Sequence, residues 1–370
     1  MSCTLRLEVK EGERPVRILV INPGSTSTKV ALYEGQQLLC GETLPHSAAE
    51  LAGYKTIADQ YPMRKEAILR FLASQGTKLT LLAAVVGRGG LTKPLASGTY
   101  LINRAMLEDL RAAKRGEHAS NLGPILAYEL AQAAGGIPAF TVDPVVVDEL
   151  DDVARVSGLP ELPRESKFHA LNQKAVGRRA ARALGRSYAE VNLIIAHLGG
   201  GISIGAHKKG RVVDVNNALD GEGPLSPERS GTLPAGDLVR LCFSGRYSQE
   251  EILRKLNGRG GLMAHLGTNN AQEVEARVRA GDAHARLVYQ ALAYQVAKGI
   301  AALAAVFNGE VDAVVLTGGL ANSELLTGWI KERVSFLAPV MTYPGEGEME
   351  ALAQGAWRVL TGEEQAKEYV

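Results

Sequence analysis

The feature that most restricts the fold is a pattern of strands and turns that occurs twice in the chain. The first copy lies in residues 16–39 and the second in residues 193–213. Each copy predicts a buried strand, a loop, a second strand, a tight turn containing glycine, and a third strand. One constant offset relates three pairs of positions: Asn22 and His197, Gly24 and Gly199, and Gly35 and Gly210. Short meanders can agree by chance, but the shared apolar phase, loops and turns favour a duplicated domain over a solenoid, whose period is about 20 to 50 residues.

The two loops of the repeat have the composition of phosphate-binding loops. The first, residues 22–29, is rich in hydroxyl groups, and the second, residues 199–201, consists of three glycines preceded by His197 and Leu198. Glycine lets the backbone adopt positive φ, so that several N–H groups can approach one anion. A structural hairpin turn is the plain alternative for either loop alone. Because the loops hold equivalent places in a repeat, we expect them to face each other across a cleft and bind the phosphates of one nucleotide.

Neither loop matches the two commonest nucleotide motifs. Residues 24–29 lack the second glycine of a P-loop, and the glycines at 199–201 lead into a strand instead of the helix that follows a Rossmann fingerprint. Hairpin phosphate loops combined with a later strand, a glycine pair and a helix indicate the duplicated architecture of actin and hexokinase.

Size, charge and cysteine content narrow the class of protein. A chain of 370 residues exceeds one ordinary core, so two domains of about 100 to 200 residues each are expected. The 41 Lys and Arg residues nearly balance the 40 Asp and Glu residues, which gives no case for nucleic acid or an anionic membrane as partner. Cys3, Cys40 and Cys242 lack paired spacing, and residues 1–16 lack the apolar segment of a secretory signal, so we predict a reducing cytoplasm. Apolar runs such as residues 300–307 are shorter than the roughly 20 residues that span a membrane.

Two charged residues end predicted strands at places that suit anion or metal binding. Arg88 stands among three glycines after residues 79–86, where its planar guanidinium can bind a carboxylate or phosphate at two points. Asp143 follows residues 137–142 at the edge where open α/β sheets bind ligands, and its oxygens suit Mg²⁺. An exposed loop arginine, and a turn aspartate before Pro144 at the first domain boundary, are the plain alternatives.

Two later segments are candidates for ligand contacts. Arg229 lies in residues 216–232, a long loop of Gly, Pro and polar residues, and loops of this length are usually functional or disordered. A predicted strand at residues 311–316 leads into Gly318-Gly319 and a helix from Glu324. Adenosine could pack flat against the backbone there, because no side chain intervenes.

These motifs together resemble the acetokinase family, and most closely its butyrate kinases. The resemblance covers nearly the whole chain and rests on residues 22–29, Gly87-Arg88-Gly89-Gly90, His197-Leu198-Gly199-Gly200-Gly201, residues 226–231 and Thr317-Gly318-Gly319. It implies two duplicated actin/hexokinase-like, ribonuclease H-like α/β domains with a nucleotide cleft between them, formed by residues 1–144 with 352–370 and by residues 145–351. It also implies reversible transfer of the γ-phosphoryl group of ATP to a short-chain carboxylate, Mg²⁺ as a cofactor, and a cytoplasmic homodimer or higher homo-oligomer.

The resemblance implies catalytic roles for five side chains: Arg88, Arg229, His197, His118 and Asp143. Arg88 and Arg229 resemble the active-site arginines of the family, which orient the acceptor carboxylate and stabilise charge on the phosphoryl oxygens during in-line transfer. His197 resembles the histidine that hydrogen-bonds the transferring phosphoryl group, and His118 resembles the histidine on the substrate side. No general base is required, because the acceptor is already an ionised carboxylate.

The resemblance also implies metal and nucleotide contacts. Asp143 and Glu348 resemble the acidic pair associated with Mg²⁺, and the choice among Glu346, Glu348 and Glu350 stays open. The implied nucleotide contacts are Asn22, Ser25, Thr26, Lys29, Gly199, Gly200, Gly201, Gly318, Gly319 and Asn322.

One departure from the family bears on the acceptor. Acetate kinases carry two histidines in a Phe-His-Gly-Thr-Ser-His stretch, whereas this chain reads Phe168-His169-Ala170-Leu171-Asn172-Gln173. Replacement of the second histidine by Gln173 puts acetate in doubt, and we hypothesise that Gly89 and Gly90 leave space for a longer acyl chain. An acetate or propionate kinase is the alternative, followed by a non-catalytic nucleotide-dependent binding protein, which would not need both arginines.

Overall fold

The computed structural model describes residues 16–370, so Cys3 and the charged segment before residue 16 lie outside the described residues. The described chain forms two compact units. The first unit comprises the residues up to Val147 together with residues 347–370, and the second comprises residues 148–346. These limits lie a few residues from the domain limits expected from the sequence, because the last helix begins at Glu348 and belongs wholly to the first unit.

The strands in chain order are β1 (Arg17–Pro23), β2 (Ser27–Glu34), β3 (Gln37–Pro45), β4 (Leu82–Gly87), β5 (Thr99–Leu101), β6 (Ala139–Val142), β7 (Asn192–Leu198), β8 (Ile202–Lys208), β9 (Arg211–Val215), β10 (Ala313–Gly318), β11 (Val340–Pro344) and β12 (Lys367–Glu368). The α-helices are α1 (Ala48–Ala52), α2 (Tyr61–Ser74), α3 (Arg104–Arg111), α4 (Leu122–Ala133), α5 (Asp152–Arg155), α6 (Ala170–Ala183), α7 (Ala235–Cys242), α8 (Gln249–Leu256), α9 (Gly261–Leu266), α10 (Ala271–Arg279), α11 (Ala283–Leu303), α12 (Glu324–Val334) and α13 (Glu348–Leu360).

The first unit is built on a seven-stranded sheet in the order β12-β5-β6-β4-β1-β2-β3. β1 runs antiparallel to β2 and parallel to β4. β1 and β4 are continuous apolar runs, as expected for strands covered on both faces. Helices α2 and α4 pack on this sheet through one core that includes Ile68, Leu72 and Leu126, and α13 also packs on β1, β4 and β6.

The second unit is built on a five-stranded sheet in the order β11-β10-β7-β8-β9. Side chains of β7 alternate between two cores: Ile194 and Ala196 pack with α11 and α12, and Leu193 and Ile195 pack with α6. This alternation follows from the two-residue period of a strand. Helices on both faces therefore cover the central strands.

The repeat predicted from the sequence is present as topology in both units. Each unit has an antiparallel meander whose first strand pairs with a later parallel strand, in the orders β3-β2-β1-β4 and β9-β8-β7-β10. Gly35 and Gly210 hold positive φ at the equivalent turns. In each meander the pairing of the second strand with the third contains a register shift. The shift lies next to Tyr33 in the first unit and next to His207 in the second unit. The mixed α/β fold with two related sheets is confirmed.

The apolar stretch at residues 300–307 is part of a longer helical segment. Among the described residues, the 25-residue segment Ala283–Phe307 is long and apolar enough to cross a membrane by length and composition alone. Its inward residues, including Tyr289, Leu292 and Val296, are fully buried in the core of the second unit. The segment is therefore a helix of this core.

Candidate active site

Arg88, Asn22 and Glu348 come together in the first unit. Nη1 of Arg88 donates to Oε2 of Glu348 at 3.1 Å, and Nη2 lies 2.8 Å from Oε1. Nδ2 of Asn22 donates to the same Oε2 at 2.8 Å. Because β1 and β4 are parallel neighbours, their carboxyl ends bring residues 22 and 88 to one edge of the sheet. The Arg88 guanidinium thus binds the Glu348 carboxylate at two points.

The loop between β1 and β2 contains the other predicted phosphate contacts of the first unit. Ser25 and Thr26 form its exposed tip. Lys29 pairs with Asn22 across the two strands, and its side chain is exposed. The four predicted nucleotide contacts of this unit therefore lie on one strand-loop-strand segment.

Asp143 ends β6 in an unusual conformation. Its φ is 38°, in the left-handed region that Asp tolerates better than most residues. Its carboxylate oxygen Oδ1 accepts hydrogen bonds from the Ser97 hydroxyl at 2.6 Å and the Gly98 N–H at 2.8 Å, and the residue is 2% exposed. These bonds fix the position of one carboxylate oxygen.

His118 lies near Arg88 and begins the 3₁₀ turn before α4. Its Nδ1 is 2.7 Å from the Ser120 hydroxyl and accepts from the Ser120 N–H at 3.2 Å. Burial, and then the positive charge of Arg88, lower the pKa of His118 below 6.5. The lowered pKa keeps the imidazole of His118 mostly uncharged at pH 7.

The hypothesis that Gly89 and Gly90 leave space for an acyl chain is wrong. A Cβ on Gly89 would lie 2.4 Å from Cβ of Pro144, and a Cβ on Gly90 would lie 2.4 Å from Oδ1 of Asn121. Protein atoms already fill the space beside both glycines. Their absent side chains allow close packing of the segment after Arg88.

The three neighbouring glutamates have separate roles in the structure. Glu348 joins Arg88 and Asn22, the backbone oxygen of Glu346 accepts a bond from Asn172, and Glu350 accepts from Gln354. Within residues 16–370, no group of three or more His, Cys, Asp or Glu residues is arranged to hold a metal ion. Mg²⁺ often uses only one or two carboxylates and completes its shell with water and substrate phosphates, and Asp143 and Glu348 supply oxygen atoms of this type.

His197 is held by a residue that the sequence motifs did not single out. The Asn172 amide group donates to the Glu346 carbonyl at 2.5 Å, which leaves Oδ1 of Asn172 to accept from Nδ1 of His197 at 2.8 Å. The proton on Nδ1 is assigned from these partners. A bond donated from Nε2 to a phosphoryl oxygen therefore requires the imidazolium form.

A second histidine supports His197. The rings of His169 and His197 stack with centroids 3.8 Å apart and an interplanar angle of 10°. Nδ1 of His169 lies 2.9 Å from the Ser203 hydroxyl. Because β7 pairs His197 with Ser203, the strand register places both histidines at the same end of the sheet.

The glycine loop between β7 and β8 lies against Arg229. A Cβ on Gly201 would lie 1.6 Å from Nη1 of Arg229, so the guanidinium occupies the space that a side chain would take. Nη1 also donates to the Ala218 carbonyl, and Nε donates to Oδ1 of Asn257 at 3.3 Å. Burial lowers the pKa of Arg229, and the negative charges of Glu228 and Asp220 act in the opposite direction.

Gln173 lies in the interior and has no exposed surface. Its amide group donates to the Ser203 hydroxyl at 2.7 Å, and its Oε1 accepts from Nε2 of His207 at 2.8 Å. Nδ1 of His207 accepts from the Tyr188 hydroxyl at 2.6 Å. Gln173 therefore hydrogen-bonds Ser203, which in turn contacts His169, and its side chain has no exposed surface in this structure.

One cavity of the second unit has a volume of about 660 Å³ and is lined by several loops, including residues 199–200, 227–228 and 319–323, and by α10. Gly318 has a φ of 89°, and a Cβ there would lie 2.4 Å from the Leu198 carbonyl oxygen, so the loop after β10 requires glycine at this position. Gly319 lies in open space, and its carbonyl accepts from Asn322 at 2.9 Å. The cavity residues that bear on ligand chemistry are Gly199, Gly200, Glu228, Glu275, Gly319 and Asn322.

Two carboxylates of this cavity did not stand out in the sequence. Glu275 accepts from the Ser323 hydroxyl and pairs with Arg279 at 2.6 Å, and these contacts lower its pKa against the opposing effect of burial. Glu228 accepts from Asn269 at 2.6 Å and lies beside Gly200. Glu275 belongs to no short motif with a known spacing, and Glu228 lies in the motif at residues 226–231 without a role assigned to it, so position in the fold was needed to identify both as cavity residues.

Arg64, in the first unit, was also missed. It shares the helical phase of Ile68, Phe71 and Leu72, and all four side chains are buried. An arginine at the apolar phase of an amphipathic helix is a signal that the sequence carries.

Comparison with known proteins gives a family and close relatives. A family model described as the Acetokinase family matches residues 162–338. Butyrate kinase 2 of Clostridium acetobutylicum is 56% identical over 353 residues, which cover 95% of this chain and 99% of that relative.

Two solved structures share the fold over nearly their full length. Acetate kinase of Porphyromonas gingivalis has a TM-score of 0.75 at 20% identity, over 93% of this chain and 99% of its own. A propionate kinase of Francisella tularensis has a TM-score of 0.73 at 23% identity, over 92% of this chain and 98% of its own.

Proposed function

The chain belongs to the acetokinase family, and from that membership we propose that it transfers the γ-phosphoryl group of ATP to butyrate or a branched-chain analogue. The products are butanoyl phosphate and ADP, and the reaction is reversible. The chain is thus a short-chain carboxylate kinase. Its acyl preference, its individual site roles and its cofactor contacts are the parts that we propose.

One observation about the site supports this function most directly. In each unit an arginine lies close to the loop of the repeated meander. Arg88 forms an ion pair with Glu348, which also accepts a hydrogen bond from Asn22, and Arg229 packs against Gly201. Phosphoryl transfer to a carboxylate needs both phosphate donors and guanidinium groups for the acceptor and the transferring group. A nucleotide-binding protein that does not catalyse transfer needs only the hydrogen-bond donors to the phosphates.

The proposed chemistry is a direct in-line transfer. A carboxylate oxygen of the acceptor forms a bond to the γ-phosphorus, while the bond from that phosphorus to the bridging oxygen of ADP breaks. No proton has to move, because the acceptor is already ionised and ADP leaves as an anion. Arg88 orients the acceptor carboxylate, and Arg229 with His197 stabilises charge on the phosphoryl oxygens.

The cavity of the second unit suits a nucleotide. Its size falls in the range of small-molecule sites, about 300–1,000 Å³. Gly199, Gly200 and Gly319 offer backbone at its wall, which lets phosphates or a flat base approach closely. The ionised carboxylate of Glu275 is an acceptor suited to ribose hydroxyl groups.

We propose Mg²⁺ as the cofactor, with Asp143 and Glu348 as its protein ligands. When bound, the ion would neutralise charge on the nucleotide phosphates. Chelation with EDTA should abolish turnover, and added Mg²⁺ should restore it. Full activity after chelation would contradict the proposed cofactor.

The acyl preference is tested by trapping acyl phosphates with hydroxylamine. We expect kcat/KM for butyrate or isobutyrate to exceed that for acetate and propionate. A clear preference for acetate or propionate would favour the alternative within the family, and no acyl phosphate from any of the four acids would refute the kinase proposal.

We also propose a cytoplasmic homodimer or higher homo-oligomer with neither nucleic acid nor membrane as partner. The resemblance to the family supports this, and light scattering on the eluting peak of a sizing column tests it. A monomer at micromolar concentration would contradict the proposed assembly.

A further inference from the structure

Arg64 is a fully buried arginine whose charge is not offset by an acidic residue. Its side chain has no exposed surface. Burial lowers its pKa, and within residues 16–370 no carboxylate acts against that effect. Burying an ionised group without a counter-charge is expensive, so such a group is retained only where other interactions compensate.

Neutral acceptors use every donor of this guanidinium. Nε and Nη2 donate to the side-chain oxygen of Gln60 at 3.2 Å and 2.8 Å. Nη1 donates to the Ser27 carbonyl at 3.0 Å and to the Thr28 hydroxyl at 2.9 Å, and Nη2 donates to the Ser25 carbonyl at 3.3 Å. Three of these bonds reach the segment from β1 to β2 that contains the predicted phosphate contacts.

The contacts of Arg64 determine how the peptide groups of this loop are turned. In a trans peptide the C=O and the next N–H point in opposite directions, and the described residues contain no cis peptide bond. The Ser25 carbonyl is directed at Arg64, so the N–H of Thr26 is directed away from it. The Thr26 carbonyl in turn accepts from the His46 N–H at 2.8 Å.

The donors on the far side of the loop are available to a ligand. Ser25 and Thr26 are exposed, and their N–H groups donate to no acceptor among residues 16–370. Hydrogen bonding of the Ser25 carbonyl to a cation polarises its peptide group and makes the N–H of Thr26 a stronger donor. Consecutive N–H groups of this kind form an anion-binding concavity.

We propose that Arg64 is a positioning residue for phosphate binding: it holds the Ser25 carbonyl on its own side and thereby presents the N–H of Thr26, next to the exposed N–H of Ser25, to a phosphate of ATP. The negative charge of that phosphate offsets the buried guanidinium across the loop. The inference rests on the proposed function only in taking ATP as the source of the phosphate.

The test compares Arg64→Met and Arg64→Lys with the control Ile68→Ala. Ile68 lies one turn further along α2 and is fully buried in the apolar core, and its side chain cannot donate a hydrogen bond to the loop, so its truncation reports lost stability. Kinetic constants are measured at a temperature where circular dichroism shows each variant folded. We expect Arg64→Met to raise KM for ATP about tenfold or more, while KM for butyrate changes by less than about twofold.

Arg64→Lys retains the charge but cannot bond all the loop acceptors, so we expect an intermediate rise in KM for ATP. Ile68→Ala should leave both KM values near those of the unchanged chain. The proposal is overturned if Arg64→Met and Ile68→Ala give the same KM for ATP, or if KM rises equally for ATP and butyrate. If Arg64→Met does not fold, the test rests on Arg64→Lys. An unchanged KM for ATP in Arg64→Lys then overturns the proposal.

A binding measurement separates this inference from the proposed function. ATP should raise the melting temperature of the unchanged chain and of Ile68→Ala more than that of either Arg64 variant. If no carboxylate is phosphorylated but this difference is found, the kinase proposal fails and the role of Arg64 stands. If butyrate is phosphorylated but ATP stabilises all variants equally, only the role of Arg64 fails.

Discussion

Gly201 lacks a side chain at the place where the Arg229 guanidinium lies. The three atoms that a Cβ at this position would approach most closely all belong to the Arg229 side chain, at 1.6 to 3.0 Å. A methyl group and the arginine cannot share this space, so the loop glycine and the arginine proposed to be catalytic depend on each other. Their substitutions should therefore not be additive.

We expect Gly201→Ala to lower kcat about 100- to 1,000-fold by displacing Arg229, a loss typical of removing one group that stabilises charge in a transition state. Arg229→Ala should cause a similar loss with the fold intact. The double variant should be no worse than Arg229→Ala, because the clash disappears with the guanidinium. Steady-state kcat of the three variants measures this, and multiplied losses in the double variant would contradict it.

His207 makes the stability of the chain depend on pH. Burial, and then the charges of Lys174 and Arg178, hold the pKa of His207 well below 6.5. Below pH 6.5 the unfolded chain therefore binds a proton at this residue that the folded chain does not bind. The free energy of unfolding should fall with falling pH by up to about 1.4 kcal/mol per pH unit until the folded-state pKa is reached.

Urea unfolding of the unchanged chain and of His207→Gln at pH values of about 7.5, 6.5 and 5.5 measures this slope. We expect the free energy of unfolding of the variant to depend less steeply on pH. Some dependence should remain, because the pKa values of His46 and His118 are also lowered and these residues also destabilise the folded chain as the pH falls. Equal slopes in the two proteins would show that His207 does not cause the dependence.

At the residue scale, the sequence motifs predicted candidate site residues, but they did not identify the neighbouring residues that hydrogen-bond to them or to their loops. Asn22, Arg88 and Glu348 are remote in sequence. The family resemblance implied a separate role for each, and their mutual contacts are seen only in the structure. Asn172 and Arg64 support the site through hydrogen bonds to backbone carbonyls. Such partners depend on chain geometry, which no residue type at a fixed spacing reveals.

At the element scale, α4 packs against the segment after β4 through bare backbone. A Cβ on Gly123, in the first turn of α4, would lie 2.2 Å from the Arg88 carbonyl oxygen, and a Cβ on Gly87 would lie 2.2 Å from the Gly123 carbonyl oxygen. The approach is too close for any side chain. Arg88 is therefore positioned by the contact between a helix and a strand end.

Gly123→Ala should reduce the free energy of unfolding by about 1–3 kcal/mol, the usual penalty for overpacking, and should lower kcat because Arg88 moves. Gly328→Ala is the matched control: nothing lies within 4 Å of its Cβ position in α12. Alanine there should stabilise the chain by up to about 1 kcal/mol. Urea unfolding and kcat test both variants, and a fully active Gly123→Ala would contradict the positioning by α4.

Element boundaries were predicted well where hydrophobic periodicity is regular and less well at turns. Apolar residues at helical spacing in residues 62–75 predict a helix, and the structure has α2 there, at Tyr61–Ser74. The strand expected at residues 79–86 begins later, because Leu79–Leu81 form a 3₁₀ turn and β4 is Leu82–Gly87. A short apolar run does not distinguish a turn from a strand, since both can bury its side chains.

At the scale of the whole molecule, the first unit is discontinuous in sequence. Its last helix, α13, buries residues such as Leu352, Ala356 and Val359. These side chains are separated from the rest of the unit by the whole of residues 148–346. The first unit therefore cannot complete its core without the end of the chain.

Deletion of residues 347–370 should unfold the first unit and leave the core of the second unit in place. Hydrogen exchange with peptide resolution measures this: protection should be lost in residues 16–147 and retained in β7, β10 and α11. Retained protection in β1 and β4 of the deletion variant would show that α13 is dispensable for this core.

The same discontinuity sets an order for folding during synthesis. Domains generally fold in the order in which they leave the ribosome. Here the strands of the first unit leave the ribosome first, but the core of that unit is incomplete until α13 has been translated. All of residues 148–346 are translated before this last helix. The inserted unit should thus mature first, and the nascent N-terminal segment is exposed to chaperones and proteases throughout translation.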